Sequence, residues 1–513
     1  MAPSNALLSG SLPTLGTTIL VAGGFYILYY LVTAIYNIYF HPLSKFPGPK
    51  SAAVSRLPAI RAHFQGRLYK HLDELHTSYG PIVRIAPDEL TTTLPEAWKE
   101  IYQRRPECPK DPFSQTKPLN GVDSLFTADA ETHMRVRRTF VNGFSDKALR
   151  EQTPLIESHI SNFILRVQRE TAVSVNGEVD IQQIFGYVWL DILGDLVLGE
   201  SFHSLEGENG NAWVRTFAQG TKFGTLRASL SRLYPLDYIV GAIGLRLTSK
   251  TRHKNMKYMI DNISRRLEMG HLGTGRSDFI TPVIGNINSE KKNGITRDEL
   301  DVTAGATLLA GTGLPHASLT ATIYFLLRNP EAMKRLIHEV RTTFDSEEQI
   351  SIDSTQNLLY LEAVTTESLR IFHPTPSQLP RVIPPSGLVL GGQFIPGGTV
   401  VGVALHSMHN SPSNWVEPQA YHPERWLPQS HQYYEARFKD DDKEAYRPFS
   451  TGNRNCLGWR LFHASARTIL ARLIWRFDID RVDKMDENWP DHKSYLVVEI
   501  KPLVVRLRER ARR

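Results

Sequence analysis

The chain has 513 residues, of which 41% are hydrophobic and 22% charged, and its formal net charge is +6. These values are ordinary for a globular protein. The positive charge is modest for this length and forms no long basic block, so it gives no indication of nucleic-acid binding.

The N-terminal segment carries no charged side chain before Lys45. Residues 15–40 are almost wholly apolar or aromatic, and as a helix they would extend about 39 Å, enough to cross a hydrocarbon core of about 30 Å. A cleavable signal peptide is the alternative, but its basic leader and small-residue cleavage site are not evident. Because lysines and arginines follow directly, the positive-inside rule places the rest of the chain in the cytosol. We therefore predict a single-pass membrane anchor over residues 1–40.

Residues 41–50 follow as a proline-rich hinge, because recurrent prolines with an intervening glycine exclude a helix. The remaining residues, 51–513, are predicted to form one catalytic domain. Short β-like runs are predicted at 82–87 and 495–507. Residues 150–300 have the pattern of successive amphipathic helices joined by polar loops.

The loop 449–458, with the sequence FSTGNRNCLG, presents Cys456 at the start of a helix predicted over residues 459–477. Gly452 and Gly458 permit backbone conformations and close approaches that a side chain would obstruct. The free N–H groups and the positive dipole end of the helix favour thiolate over thiol. One thiolate without a partner cysteine suits the axial position of a haem iron. The alternative is a buried structural cysteine beside a glycine turn.

The order F-x-x-G-x-R-x-C-x-G resembles the haem-binding signature of the cytochrome P450 haem-thiolate family. The resemblance extends from about Tyr36 to Arg506, and the proline-rich segment is typical of fungal microsomal members. It implies a mainly α-helical fold with a smaller β-rich lobe behind one N-terminal transmembrane helix. It also implies heme b with Cys456 as the axial thiolate, held in a loop to which Phe449 and Arg454 belong. No disulfide pair then remains, which fits the reducing cytosol.

Two basic segments resemble the family's haem-propionate ligands. His133 and Arg137 are four residues apart and lie on one face of a helix predicted over residues 131–144. Cations there suit a propionate edge, although a solvated basic helix face is the alternative. Arg381 lies further along the chain, in a segment predicted to be extended. It resembles a second propionate ligand of the family.

Glu367 and Arg370 are three residues apart in a helix predicted over residues 358–372, and Arg425 follows in the sequence PERW. The three together resemble the Glu-Arg-Arg triad of the family. The resemblance implies a buried structural charge network that fixes the loop before Cys456. An exposed surface pair is the alternative for Glu367 and Arg370.

A capping box at residues 296–299 predicts the start of a long helix that ends near Arg328. It resembles the family's central helix, which usually carries A-G-x-(D/E)-T-(T/S). Here the sequence is AGTGLP over residues 310–315, with Gly313 and Leu314 at the acid and alcohol positions. That pair normally relays protons during oxygen activation, and neither residue present can do so. Thr312, His316 or an ordered water are the candidates to replace it, and Pro315 is expected to kink the helix.

Three functions follow from the resemblance. The leading one is a fungal-type, membrane-anchored monooxygenase of the endoplasmic reticulum that oxidises a lipophilic small molecule, with electrons from NADPH through cytochrome P450 reductase. A basic surface would suit docking of that acidic electron donor. The altered relay leaves open a haem-thiolate enzyme that rearranges, dehydrates or couples its substrate. It also leaves open a non-catalytic haem-binding scaffold of a pathway.

Overall fold

The computed structural model describes residues 15–114, 121–207, 220, 222–233, 236–270, 277–288, 294–483 and 485–510. Most of these residues are α-helical. The named helices are Leu15–Tyr39, Lys50–Val54, Leu57–Phe64, Leu68–Tyr79, Ala130–Phe140, Asp146–Val173, Ile181–Leu193, Leu236–Glu268, Thr281–Ile284, Arg297–Arg328, Pro330–Thr343, Leu359–Ile371, Leu405–Asn410 and Trp459–Arg476. The mainly α-helical fold with a smaller β-rich part is confirmed.

The strands are short and form four small sheets in the described chain. The largest sheet has the order Ile82–Ala86, Glu89–Thr92, Val400–Val403, Arg381–Val382. Its central pair is parallel and its two outer pairs are antiparallel. The other sheets join Glu178–Asp180, Val504–Glu509 and Phe477–Arg481; Leu388–Leu390 and Gln393–Ile395; and Ser494–Tyr495 and Val497–Val498.

The β-like run predicted over 495–507 does form strands, and these belong to two different sheets. Its first residues form the Ser494–Tyr495 and Val497–Val498 hairpin, and its last residues belong to Val504–Glu509 in a different sheet. Pro502 lies between the two parts and has no N–H to donate to a ladder, which favours a change of direction there.

The helix Arg297–Arg328, which we call the central helix, has the predicted capping box. Thr296 Oγ1 accepts the N–H of Glu299 at 3.2 Å, and Glu299 Oε2 accepts the N–H of Thr296 at 2.9 Å. The helix stays α-helical through Pro315, so the proline does not break it. At Gly311, a Cβ atom would lie 2.4 Å from Leu193 Cδ1, so glycine permits the close approach of the helix Ile181–Leu193.

The N-terminal helix Leu15–Tyr39 lies outside the hydrophobic core. Residues 16–39 are long and apolar enough to cross a membrane, with a mean hydropathy of 1.9, and the most apolar 18-residue part of that span has no buried residue. The stretch Ile181–Leu198 has a similar composition, but 83% of it is buried, which marks it as a core helix. Where the N-terminal helix ends, Arg84 Nη1 donates to the carbonyl of Asn37 at 2.7 Å.

Residues 41–49 contain neither helix nor strand, as the prolines predict. Leu43 and Phe46 in this segment are nevertheless buried, and both pack in the cluster around the largest sheet. The main hydrophobic cluster lies elsewhere, between the central helix and the helices Ile181–Leu193, Leu359–Ile371 and Trp459–Arg476. The proline-rich segment is therefore attached to the domain through its apolar side chains.

Candidate active site

Residues 447–458, which we call the cysteine loop, precede the helix Trp459–Arg476. The N–H of Cys456 donates to the carbonyl of Phe449 at 2.9 Å, which closes the loop. Gly452 has a φ of +74°, and a Cβ there would lie 2.0 Å from the carbonyl oxygen of Tyr102, so only glycine fits. Gly458 has a φ of −84°, and a Cβ there would meet no described atom within 4 Å, so the expected close approach is absent at Gly458.

The side chain of Cys456 is exposed although protein atoms surround it on its other sides. Burial raises the pKa of this thiol. The N–H groups of Gly458 and Trp459 at the helix start and the positive charge of Arg137 lower that pKa, but they offset the burial only in part. The helix start therefore favours thiolate, as predicted, but burial has the larger effect on this pKa.

Five basic side chains face one another beside the cysteine loop: His133, Arg137, Arg381, Arg454 and Lys110. Burial and the four neighbouring cations hold the pKa of His133 down at about 3. Burial, Arg381 and Arg454 likewise lower the pKa of Lys110 to about 7. The structure therefore brings all the basic residues predicted for the site together and adds Lys110.

These basic side chains have specific partners. Arg137 Nη1 donates to the carbonyl of Asn455 at 2.9 Å, next to Cys456. Arg454 pairs with Glu107 at 2.9 Å and donates to the carbonyl of Ala128 at 2.9 Å. The Arg381 guanidinium donates to the carbonyl of Pro380 at 3.0 Å and lies 5.1 Å from the centre of the Tyr102 ring. Lys110 donates to the carbonyl of Phe126.

Two aspects of this cluster indicate a missing anionic partner. Glu107 is the carboxylate whose charge acts on Lys110 and Arg381, so the basic groups outnumber the acids around them. His133 is 3% exposed, and its Nδ1 has no hydrogen-bond partner among the described residues. A buried polar nitrogen without a partner and an excess of cations suit a ligand with more than one carboxylate.

Phe449 lies between the cysteine loop and the helix that follows it. Its ring centre is 5.7 Å from that of Phe462 and 5.3 Å from that of His463. These contacts connect the start of the cysteine loop to the first turns of the helix Trp459–Arg476.

Glu367, Arg370 and Arg425 form a network with no exposed side-chain surface. Glu367 accepts from Arg370 at 2.7 Å and from Arg425 at 3.0 Å, and Arg425 also pairs with Asp441 at 2.5 Å. Burial alone would raise the pKa of Glu367, but the two arginines outweigh it and lower that pKa. The network connects the helix Leu359–Ile371 to the chain that leads into the cysteine loop.

Between residues 307 and 322, the side-chain hydroxyl groups of the central helix donate hydrogen bonds to the backbone of the same helix. Every serine and threonine there donates to the carbonyl four residues earlier: Thr307, Thr312, Ser318, Thr320 and Thr322. Thr312, which sequence reasoning proposed as a replacement relay, is 5% exposed and donates to Leu308 at 2.8 Å. At about 100° per residue, Thr312 and Leu314 lie about 160° apart around the helix, on nearly opposite sides.

His316 is on the Thr312 side of the helix and is 5% exposed. Its Nδ1 lies 2.9 Å from the Thr312 carbonyl, which can only accept, so Nδ1 carries the proton. Burial lowers the pKa of His316. By contrast, the half-buried residues Ala306, Ala310 and Leu314 share another side of the helix at four-residue spacing. Neither polar candidate lies on the side that carries Leu314.

Comparison with known proteins gives the family. The family model "Cytochrome P450" matches residues 47–507. The chain belongs to the cytochrome P450 family. Cytochrome P450 monooxygenase lcsI of Purpureocillium lilacinum is 36% identical over 491 residues, which cover 94% of this chain and 92% of that protein.

Two further fungal relatives have similar coverage. An averantin hydroxylase of Dothistroma septosporum is 35% identical over 494 residues, which cover 96% of this chain and 91% of that protein. Cytochrome P450 monooxygenase stcF of Emericella nidulans is 35% identical over 490 residues, which cover 94% of this chain and 98% of that protein. Family and relatives together identify this cytochrome P450 as a monooxygenase, an oxidoreductase that incorporates molecular oxygen.

The family implies a haem-thiolate iron cofactor, and the residues of this P450 fit it. Cys456 offers an accessible sulfur, and the cluster of basic side chains offers charge for two propionates. Sequence reasoning missed Lys110 and Asp441, because no motif marks either one. The available signal for Asp441 was that two buried arginines, Arg370 and Arg425, need more than one carboxylate as a partner.

Proposed function

We propose that this P450 is a membrane-anchored monooxygenase of fungal secondary metabolite biosynthesis that oxidises a lipophilic small molecule. The observation that carries the proposal is the arrangement of Cys456 beside five basic side chains within a chain that matches the P450 family over residues 47–507. The name of one relative, averantin hydroxylase, supports hydroxylation of an organic small molecule as the class of reaction.

Cys456 would ligate the iron of heme b, and the basic cluster would hold the propionates. His133 Nδ1 and Lys110 supply donors that lack an anionic partner of their own, while Arg137, Arg381 and Arg454 add charge. Phe449 packs against Phe462 in the helix that follows Cys456, and the Glu367 network fixes the chain that enters the cysteine loop. When bound, a haem-thiolate group activates dioxygen so that one oxygen atom enters the substrate.

The side of the central helix that carries Ala310 and Leu314 faces the substrate in this proposal. The apolar side chains there offer no proton donor. Thr312 and His316 are turned to the opposite side and bound to their own helix, so neither is placed to donate. Protons therefore come from a water molecule or from a hydroxyl group that the substrate itself carries.

Electrons come from NADPH through a separate cytochrome P450 reductase in this proposal, as is general for the family. The test is reconstitution of the full-length protein with reductase, NADPH and extracts of a host that carries this chain. We expect a product that depends on NADPH, gains one oxygen atom and disappears in Cys456→Ala. Redox-neutral conversion without NADPH would instead support rearrangement, dehydration or coupling. Haem binding with no turnover of any substrate would support a scaffold.

The helix Leu15–Tyr39 is the proposed anchor in the membrane of the endoplasmic reticulum, with residues 41–50 as the connection to the cytosolic domain 51–513. Deletion of residues 1–40 is expected to shift the protein from the membrane toward the soluble fraction, because it removes the exposed apolar helix. Fractionation after cell lysis measures this. Protease added outside intact microsomes should digest the full-length domain, and a protected domain would place it in the lumen.

A further inference from the structure

His373 connects the helix Leu359–Ile371 to the cysteine loop. It lies two residues beyond that helix and is 6% exposed. Its Nε2 is 2.9 Å from the carbonyl oxygen of Pro448. Pro448 directly precedes Phe449, the residue whose carbonyl accepts the N–H of Cys456. A single hydrogen bond therefore connects His373 to the part of the loop that positions the sulfur.

The hydrogen-bond partners fix the tautomer of this imidazole. The Pro448 carbonyl beside Nε2 can only accept a hydrogen bond, so Nε2 carries the proton of the neutral ring and donates to it. Nδ1 then accepts from the N–H of Thr375 at 3.1 Å, with Thr375 Oγ1 and the Thr375 carbonyl oxygen each 3.0 Å away. Burial lowers the pKa of His373 to about 4, so the ring stays neutral in the cytosol.

The bond to Pro448 lies beside a residue with an unfavourable backbone conformation. Ser450, two residues later, has a φ of +56°, which few residues other than glycine adopt. Its N–H donates to the carbonyl of Arg447 at 2.9 Å, so residues 447–450 form a tight turn around Pro448. A backbone segment in a costly conformation persists only where surrounding contacts fix it. His373 provides such a contact from a different element.

We propose that His373 is a positioning residue that fixes the cysteine loop through the Pro448 carbonyl and so sets where the Cys456 sulfur lies for ligation. The inference rests on the proposed role of Cys456 as the axial ligand. It assigns to His373 no contact with the iron or the substrate.

The test compares two amides of different reach in the full-length holoprotein. His373→Gln can place a side-chain N–H near the position of Nε2 and keep the bond to Pro448, whereas His373→Asn reaches only the position of Nδ1. His373→Phe keeps the ring and removes both sets of bonds. The matched control is His409→Phe, because His409 is fully buried with its ring 6.0 Å from that of His373, and neither of its ring nitrogens has a hydrogen-bond partner among the described residues.

The measurements are the ratio of thiol- to thiolate-ligated species in the reduced carbon monoxide complex and the reduction potential of the iron. We expect His373→Asn and His373→Phe to raise that ratio about fivefold, as for the loss of one buried hydrogen bond. His373→Gln should restore the wild-type ratio, and His409→Phe should leave it unchanged. Equal effects of the Asn and Gln variants, or a lower melting temperature with wild-type ligation, would overturn the proposal. A wild-type spectrum in Cys456→Ala would instead refute the ligand assignment itself.

Discussion

The cysteine loop and the segment 307–322 of the central helix satisfy their polar groups in opposite ways. In the loop, contacts join residues far apart in the chain, such as Arg454 with Glu107 and Thr451 with Gln103. In the helix segment, each hydroxyl donates to a carbonyl one turn earlier. The long-range contacts fix the loop relative to other elements, whereas the hydroxyl groups of the helix segment bond only to their own helix in the described chain.

This difference has a consequence for the chemistry of this P450. The loop side carries the charges and donors that a haem-thiolate group requires, and they are held by buried networks. The helix side has Gly313 and Leu314 where the family usually has an acid and an alcohol, and the remaining hydroxyls face their own backbone. In the proposed function, the protein's own residues would therefore hold the haem-thiolate group, while water or substrate would supply the protons.

Loss of the sulfur gives the largest expected effect. Cys456→Ala should abolish the thiolate-ligated band of the reduced carbon monoxide complex, because Cys108, the other cysteine of the sequence, is buried. The control is Cys108→Ala, since Cys108 is 2% exposed and burial raises the pKa of its thiol. The control should keep the band, and a band that persists in Cys456→Ala but not in Cys108→Ala would reverse the assignment.

Disruption of the buried charge network should come next. Glu367→Gln leaves Arg370 and Arg425 without the carboxylate that they share, and breaking a buried pair costs about 3–5 kcal/mol. Denaturant unfolding and haem content measure this. Glu417→Gln removes a half-exposed carboxylate that pairs with Arg437, so it should cost only about 0–1 kcal/mol. Similar losses of unfolding free energy in both variants would show that the buried network contributes no more than a surface ion pair.

Restoration of the missing relay tests the other region. Gly313→Asp with Leu314→Thr should increase product formed per NADPH, with a rate effect of up to about 10²-fold, the contribution of a positioned proton donor. Thr312→Val is the control, and its coupling should match wild type, because the Thr312 hydroxyl faces Leu308. If the native reaction needs no NADPH and the double variant leaves it unchanged or slows it, the monooxygenase proposal fails.

The last expected effect is on the pH dependence of stability, and it appears only below neutral pH. The pKa of His373 is about 4 in the folded protein, below the ordinary value of 6.5. Between these values the unfolded chain binds a proton that the folded protein does not, so the free energy of unfolding should fall as pH drops from 6.5 to about 4. His373→Gln should make this decline shallower, as measured by denaturant unfolding at several pH values. His203→Gln, at an exposed histidine, is the control.

The features that the sequence determined are those that depend on a single segment. The capping box at Thr296, the end of the central helix before Pro330 and the helix after Cys456 all follow from spacing along the chain. The apolar helix Leu15–Tyr39 is equally local. The motifs named the basic residues and the Glu367 triad through family resemblance, and the structure brings each group together.

Only the tertiary structure decided which distant groups complete the site. Lys110 joins the basic cluster, Asp441 pairs with Arg425 and His373 reaches Pro448 because the fold, and no motif, makes them neighbours. It also decided that burial outweighs the helix start in setting the pKa of Cys456. Desolvation and through-space charge depend on every element packed around a residue, and the order of residues along one segment does not contain that information.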